Sequence, residues 1–126
     1  MAAQEDKETE LYARILDDTN QLIQISDCDT FSMFYANYPA RVFTGHEHQE
    51  YKGQHCYQYM MGLDEQCPFC PMLDMHGQDS YETEIDNGAQ VFSVKTKLIE
   101  WEGKKSFIEY ATDITKAKRA QQIFED

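Results

Sequence analysis

Three of the four cysteines, Cys56, Cys67 and Cys70, fall in the segment GQHCYQYMMGLDEQCPFCPMLDMH, with His55 beside the first and His76 at the end. Cys67-Pro68-Phe69-Cys70 is a C-x-x-C, a spacing that can grip one ion from adjacent turns, and three thiols with one or two imidazoles make a tetrahedral zinc set. Pro68 suits the first turn of a helix, which would place Cys67 at a helix N-terminus, where unsatisfied amides favour thiolate. Three readings of Cys56, Cys67, Cys70, His55 and His76 stay open: reduced thiols that only pack, a zinc site, and a disulfide or redox sensor. An iron–sulfur cluster would need Cys28, which belongs to a distant turn. A thioredoxin-like reading fails because no βαβ pattern precedes the motif.

The charge around these thiols bears on the choice. The chain has 126 residues and a net charge of −12. Between Thr44 and Val94, nine acidic residues face Lys52 alone. Such a surround raises thiol pKa values and works against the helix-terminus effect, favouring inert or metal-held thiols over a reactive thiolate. The same charge repels a polyanion, so nucleic acid is not expected as a partner. No apolar run is long enough to span a bilayer and no signal peptide is legible, so a cytoplasmic location without membrane contact is expected.

Elements that could position the cluster follow from periodicity. ETELYARILDD at residues 8–18 has helical apolar spacing and gives a leading amphipathic helix within residues 1–20. Leu22 to Ser26 and Phe31 to Ala36 read as a strand hairpin, with Asp27 to Thr30 as its turn. From Asn37 to about His76 the chain reads as short helical pieces punctuated by Gly and Pro. Tyr81, Thr83 and Ile85 alternate with Glu82, Glu84 and Asp86, and Asn87-Gly88 follows as a hairpin signal because both positions tolerate positive φ. Phe92, Val94 and Leu98 alternate with Ser93, Lys95 and Lys97. After a turn at Glu102-Gly103, a last strand runs from Ser106 to Thr112, and Asp113 or Thr115 caps a final helix. The class is α+β: a five-stranded antiparallel sheet with short helices on one face.

This order resembles a PAS sensor domain. Asn37 ends the second strand, with Gly45 and Gly53 following, and EWEGKKSFIEYATDIT finishes in Asp113-Ile114-Thr115, similar to the D-I-T signature that begins a PAS signalling helix. The resemblance implies a domain over residues 21–115 and a signalling helix starting at 116–126, with Asp113, Ile114 and Thr115 as the output junction. It implies an input module of a larger signalling protein, of diguanylate cyclase or histidine kinase type. It further implies a concave sheet face able to hold a small ligand, and pairing of two chains through the flanking helices. The expected pocket residues are Tyr35, Asn37, Phe43, Tyr57, Met60, Met61, Phe92, Val94, Ile108 and Tyr110. The competing reading of the aromatic and Met residues is simple core packing. A last helix still running at Asp126 fits a segment of a longer chain.

Some PAS domains carry a Cys-Tyr segment followed by C-x-x-C-P, and Cys56, Tyr57, Cys67, Cys70 and Pro71 resemble that subgroup. Gly53-Gln54-His55-Cys56 is similar to the flavin-adduct motif of blue-light PAS domains. Tyr57 and His55 depart from it, and Ala111 stands where a flavin-contacting Gln would fall, so flavin is disfavoured. Haem through His76 is disfavoured too, which leaves the cofactor open with zinc as the candidate metal. His46-Glu47-His48 reads as a solvated loop. With no phosphate loop, G-x-S-x-G or H-E-x-x-H, the domain is not expected to be an enzyme.

Overall fold

The computed structural model describes residues 2–68 and 70–125. Met1, Phe69 and Asp126, which belong to the expected leading helix, C-x-x-C and final helix, lie outside the described residues. The chain runs α1 (Ala2–Asp17), β1 (Leu22–Asp27), β2 (Met33–Ala36), α2 (Tyr38–Thr44), α3 (Cys56–Met61), β3 (Ser80–Asp86), β4 (Val91–Trp101), β5 (Lys104–Asp113) and α4 (Thr115–Glu125). A short 3-10 turn, Pro71–Asp74, lies between α3 and β3. The expected α+β class and the order of its elements are therefore present. The leading helix starts six residues earlier than its apolar pattern.

All strand pairs are antiparallel, in the order β2-β1-β5-β4-β3. The last strand is thus central, between the first and the fourth. Registers Leu22↔Ala111, Gln24↔Glu109 and Ser26↔Phe107, continued by Val94↔Ala111, Thr96↔Glu109 and Leu98↔Phe107, decide which side chains share a face. On β3 the accessible residues alternate as the sequence pattern predicts, with Glu82, Glu84 and Asp86 outward. Those charges also protect an edge strand against pairing with another chain.

One turn differs in mechanism from expectation. Asn87-Gly88 lies in a longer loop, 87–90, in which only Gly88 has positive φ. Asn87 contributes its side chain instead, Oδ1 accepting from the N–H of Ala89 at 3.0 Å and of Gln90 at 2.7 Å. The tight two-residue hairpin is at Glu102-Gly103, both left-handed, with Trp101 paired to Lys104 across it.

Asn37 organises the inner layer. Its side chain caps α2 by accepting from the N–H of Ala40 at 3.1 Å, and it accepts from Ile23 N–H at 3.0 Å. Its amide donates to the carbonyls of Leu16 at 2.8 Å and Gln21 at 3.0 Å. One side chain therefore ties α1, β1 and α2 together. Below it, Met33, Ala36, Ala40, Cys56, Tyr59 and Phe107 form the core. Burial of a residue such as Phe107 contributes about 1.5–3 kcal/mol. Cys56 and Tyr59, one helical turn apart on α3, are the positions by which that helix docks.

Candidate functional site

Between the sheet and the short helices lies a cavity of about 120 Å³. β1 supplies Leu22 and Gln24, α2 supplies Phe43, and α3 supplies Cys56, Tyr57, Met60 and Met61. The following loop adds Gln66, Cys67, Cys70 and Pro71, while Ile85, Phe92, Val94, Glu109 and Ala111 close it from the sheet. Phe31 and Asn87 complete the wall. An apolar cavity of roughly 150 Å³ holds one benzene, so this volume suits a molecule of about that size or slightly less.

Six of the ten expected pocket residues are in the wall: Phe43, Tyr57, Met60, Met61, Phe92 and Val94. The other four are not. Ile108 and Tyr110 lie in register with Ile23 and Ile25 on the opposite face of the sheet, whereas Glu109 and Ala111 point inward. Apolar side chains occur on both faces of the central strand, Phe107 and Ala111 inward and Ile108 and Tyr110 outward, so they do not mark the inner one. Asn37 is fully buried and spends its hydrogen bonds on backbone. Tyr35 packs edge-on against Tyr51 at 6.5 Å, outside the wall, and burial pushes its hydroxyl up to about 12.

The sequence reading missed Glu109 and Gln24. Ser26 Oγ donates to Gln24 Oε1 at 2.5 Å, and Gln24 Nε2 donates to Glu109 Oε1 at 3.0 Å. Burial in the apolar cavity pushes the Glu109 carboxyl up to about 7, with the Gln24 bond opposing the rise. Thr96, in register beside Glu109, is fully buried and its hydroxyl has no partner. Polar residues at matching positions on β1, β5 and β4 are the signal, but it becomes readable only once strand order and register are known.

Cys56, Cys67 and Cys70 come to the same cavity wall, while the two imidazoles go elsewhere. His55 precedes α3, bonds the Thr30 carbonyl through Nδ1 at 2.9 Å and stacks on Tyr57 at 5.0 Å. His76 is exposed in a left-handed turn. Among the described residues, no group of three or more His, Cys, Asp and Glu side chains is placed to hold a metal ion. Pro71, not Pro68, opens the helical turn, so Cys70 occupies the cap position expected for Cys67. Burial pushes the thiols up, Cys56 to about 12 and Cys67 to about 11, and Cys70 upward as well. The direction is the expected one, but burial dominates, and the acidic neighbour common to all three is Glu109, outside the acidic middle segment. His46 also departs from the solvated reading: it bonds the Tyr59 carbonyl at 3.1 Å and meets that ring edge-on.

The output junction is bonded to the strand that carries Phe92 and Val94. Ile114 N–H donates to the Val91 carbonyl at 2.8 Å, and Val91 N–H donates to Thr115 Oγ1 at 2.9 Å. Asp113 Oδ1 accepts from Thr115 N–H at 2.9 Å and from its hydroxyl at 2.5 Å, which holds the Asp113 carboxyl below its usual range. Beyond this junction, Lys118 meets Glu84 at 3.0 Å, and most of α4 is exposed.

A five-stranded antiparallel sheet in the order 2-1-5-4-3, closed by short helices over an inner cavity, defines the class of domain. Solved structures place it more closely. The chain is similar to the PAS domain of an HTR-like protein from Haloarcula marismortui at 17% identity and TM-score 0.59, covering 90% of this chain and 100% of that one. It is similar to the PAS domain of nitrogen regulation protein NR(II) from Vibrio parahaemolyticus at 16% identity and TM-score 0.63, over 82% of this chain and 98% of that one. A sensory box sensor histidine kinase from Vibrio cholerae matches at 13% identity and TM-score 0.50, over 90% and 97% of the two chains. No protein-family model and no curated protein matches the sequence. The fold is the PAS fold. No helix among the described residues is long and apolar enough to cross a membrane.

Proposed function

We propose that the chain is a sensory input domain of a larger signal-transduction protein, in which occupancy of the inner cavity is relayed through β4 to α4. One observation carries this reading: Val91, adjacent to the cavity residue Phe92, exchanges backbone and side-chain bonds with Ile114 and Thr115 at the start of α4. A ligand that displaces Phe92 or Val94 therefore loads the bonds that hold the helix origin. The similar structures include a sensor histidine kinase and the PAS domain of a nitrogen regulation protein, in agreement with a regulatory role in a larger parent protein. The three cysteines enter as cavity wall, held as neutral thiols by burial. Pairing of two copies belongs to the same reading, since Leu11, Tyr12 and Ile15 on α1 and Ile123 and Phe124 on α4 are exposed apolar side chains.

Filling the cavity from within tests the relay. Ala111→Phe, with Val94→Phe as second variant, stands in for a ligand, and amide hydrogen exchange of residues 115–125 is the readout. An exchange change of at least threefold in α4, with β1 unchanged, is expected. Unchanged α4 exchange in a folded variant with a filled cavity would overturn the relay.

A further inference from the structure

The wall of the cavity is mostly apolar; besides Tyr57 and the amides of Gln66 and Asn87 it carries the end of a directed polar chain, and the direction of that chain decides what it can hold. Ser26 gives its hydroxyl proton to Gln24, and Gln24 gives an amide proton to Glu109 Oε1. Each step donates toward the carboxyl group, so the chain ends in an acceptor, and the remaining lone pairs of Glu109 require a donor. Among the described residues, the wall contains no Lys, Arg or His to supply one. Gln24 from β1 bonds Glu109 and Thr96 of β4 lies in register with it, while the other polar or ionisable wall residues are Cys56 and Tyr57 from α3, Gln66, Cys67 and Cys70 from the loop, and Asn87, none of them a cation. A buried carboxylate without a countercharge is costly, and burial accordingly holds this one near neutrality on the pH scale.

Other wall residues favour the same sign of charge. Phe31, Phe43, Tyr57 and Phe92 offer aromatic rings, whose faces attract cations. The net charge of −12 concentrates cations at the surface and repels anions. The volume of about 120 Å³ limits the occupant to roughly the size of one substituted ring.

Resting on the sensory reading above, we infer that the cavity takes a small, mostly apolar cation bearing an N–H, such as a primary ammonium on a single ring or short branched chain. The ammonium donates to the free oxygen of Glu109, and the apolar body fills the space between Met60, Phe92 and Val94. Thr96, in register with Glu109 on β4, has a buried hydroxyl without a partner.

Three probes of one size separate the chemistries: benzylamine, benzyl alcohol and benzoate. Each is titrated into the ¹⁵N-labelled chain at pH 7.5, following the amides of Cys56, Met60, Phe92 and Val94 together with those of α4. Benzylamine is expected to bind at least tenfold more tightly than the other two, and Glu109→Gln, or the apolar Glu109→Met, should remove that preference while leaving benzyl alcohol binding in place. Equal affinities, an amine preference that survives both variants, shifts confined to surface acids such as Glu82 and Glu84, or no amine binding would each overturn the inference. The two readings fail separately. An α4 response to the neutral probe without amine preference sinks only the ligand class, whereas amine preference without an α4 response sinks only the relay.

Discussion

Glu109 makes the stability of this domain fall with rising pH across a window where most carboxyl groups no longer titrate. In the unfolded chain the group titrates near 4.5, and in the folded cavity at about 7. Below pH 4.5 both states hold the proton and the group contributes nothing. Between 4.5 and about 7 the unfolded chain has released a proton that the folded state keeps, so unfolding is favoured by about 1.4 kcal/mol for each pH unit. Across the window this comes to about 3 kcal/mol, reduced to about 2–3 kcal/mol because the group retains some solvent access. Above 7 the loss is complete. Glu109→Gln keeps an oxygen to accept from Gln24 but has no proton to release. The stability difference between variant and wild type should therefore shift toward the variant by about 2–3 kcal/mol from pH 4.5 to pH 8. Urea unfolding of both proteins at four pH values gives this difference directly, and Asp27 and Asp113, whose pKa values are lowered in both, cancel from it. Parallel curves, agreeing within about 0.5 kcal/mol, would refute the assignment of a buried, proton-holding carboxyl.

Asn37→Ala should cost about 3–4 kcal/mol, measured by urea unfolding, since it removes the partners of Ile23 N–H, Ala40 N–H and the Leu16 and Gln21 carbonyls. A loss under about 1 kcal/mol would mean that water replaces them. Cys56 and Cys67, held at about 12 and 11, should react with Ellman's reagent at pH 8 at least a hundredfold more slowly than in the urea-unfolded chain, and reaction at the rate of a free thiol would contradict their burial. Sedimentation equilibrium should show a dimer that Leu11→Glu with Phe124→Glu converts to monomer, and a wild-type monomer at high concentration would dismiss pairing through the flanking helices.

The parts of the fold legible in the sequence are those whose physics is local. β3 alternates because one of its faces meets solvent, so Glu82, Glu84 and Asp86 declare themselves outward. The Glu102-Gly103 hairpin is likewise local, made by two left-handed residues between paired strands. Asn37, expected in the pocket, was not legible as a cap, since only its bond to Ala40 is local and its other partners Leu16, Gln21 and Ile23 come from other elements. Of the site, the α3 residues Tyr57, Met60 and Met61 were expected in the pocket and are in its wall, where a short helix over a sheet fills its inner face with apolar residues, whereas Cys56 was expected as a metal or redox residue.

The phase of β5, rather than its presence, was not readable, and for a different reason. Phe107 and Ile108 are adjacent apolar residues on opposite faces of a central strand, so hydrophobicity offers two phases, and an acidic Glu109 tips the choice toward placing it outward. That choice is wrong by one residue, and one residue inverts the whole face. What reverses it is non-local: Gln24 arrives from β1 and Thr96 from β4, each separated from Glu109 by a stretch of chain but in register with it. The two errors on this strand, Ile108 and Tyr110 placed in the pocket and Glu109 left out, are therefore one error of phase. Its correction adds to the three thiols of the wall a carboxyl group awaiting a donor. An acid placed on the inner face against its own desolvation cost must be compensated by what enters the cavity or by its own proton. This ties the pH dependence of stability and the choice of ligand to the same oxygen atoms. A cation that binds Glu109 must therefore lower its apparent pKa and abolish the stability loss between pH 4.5 and 7, and an unchanged loss under saturating benzylamine would separate the two effects and break the argument.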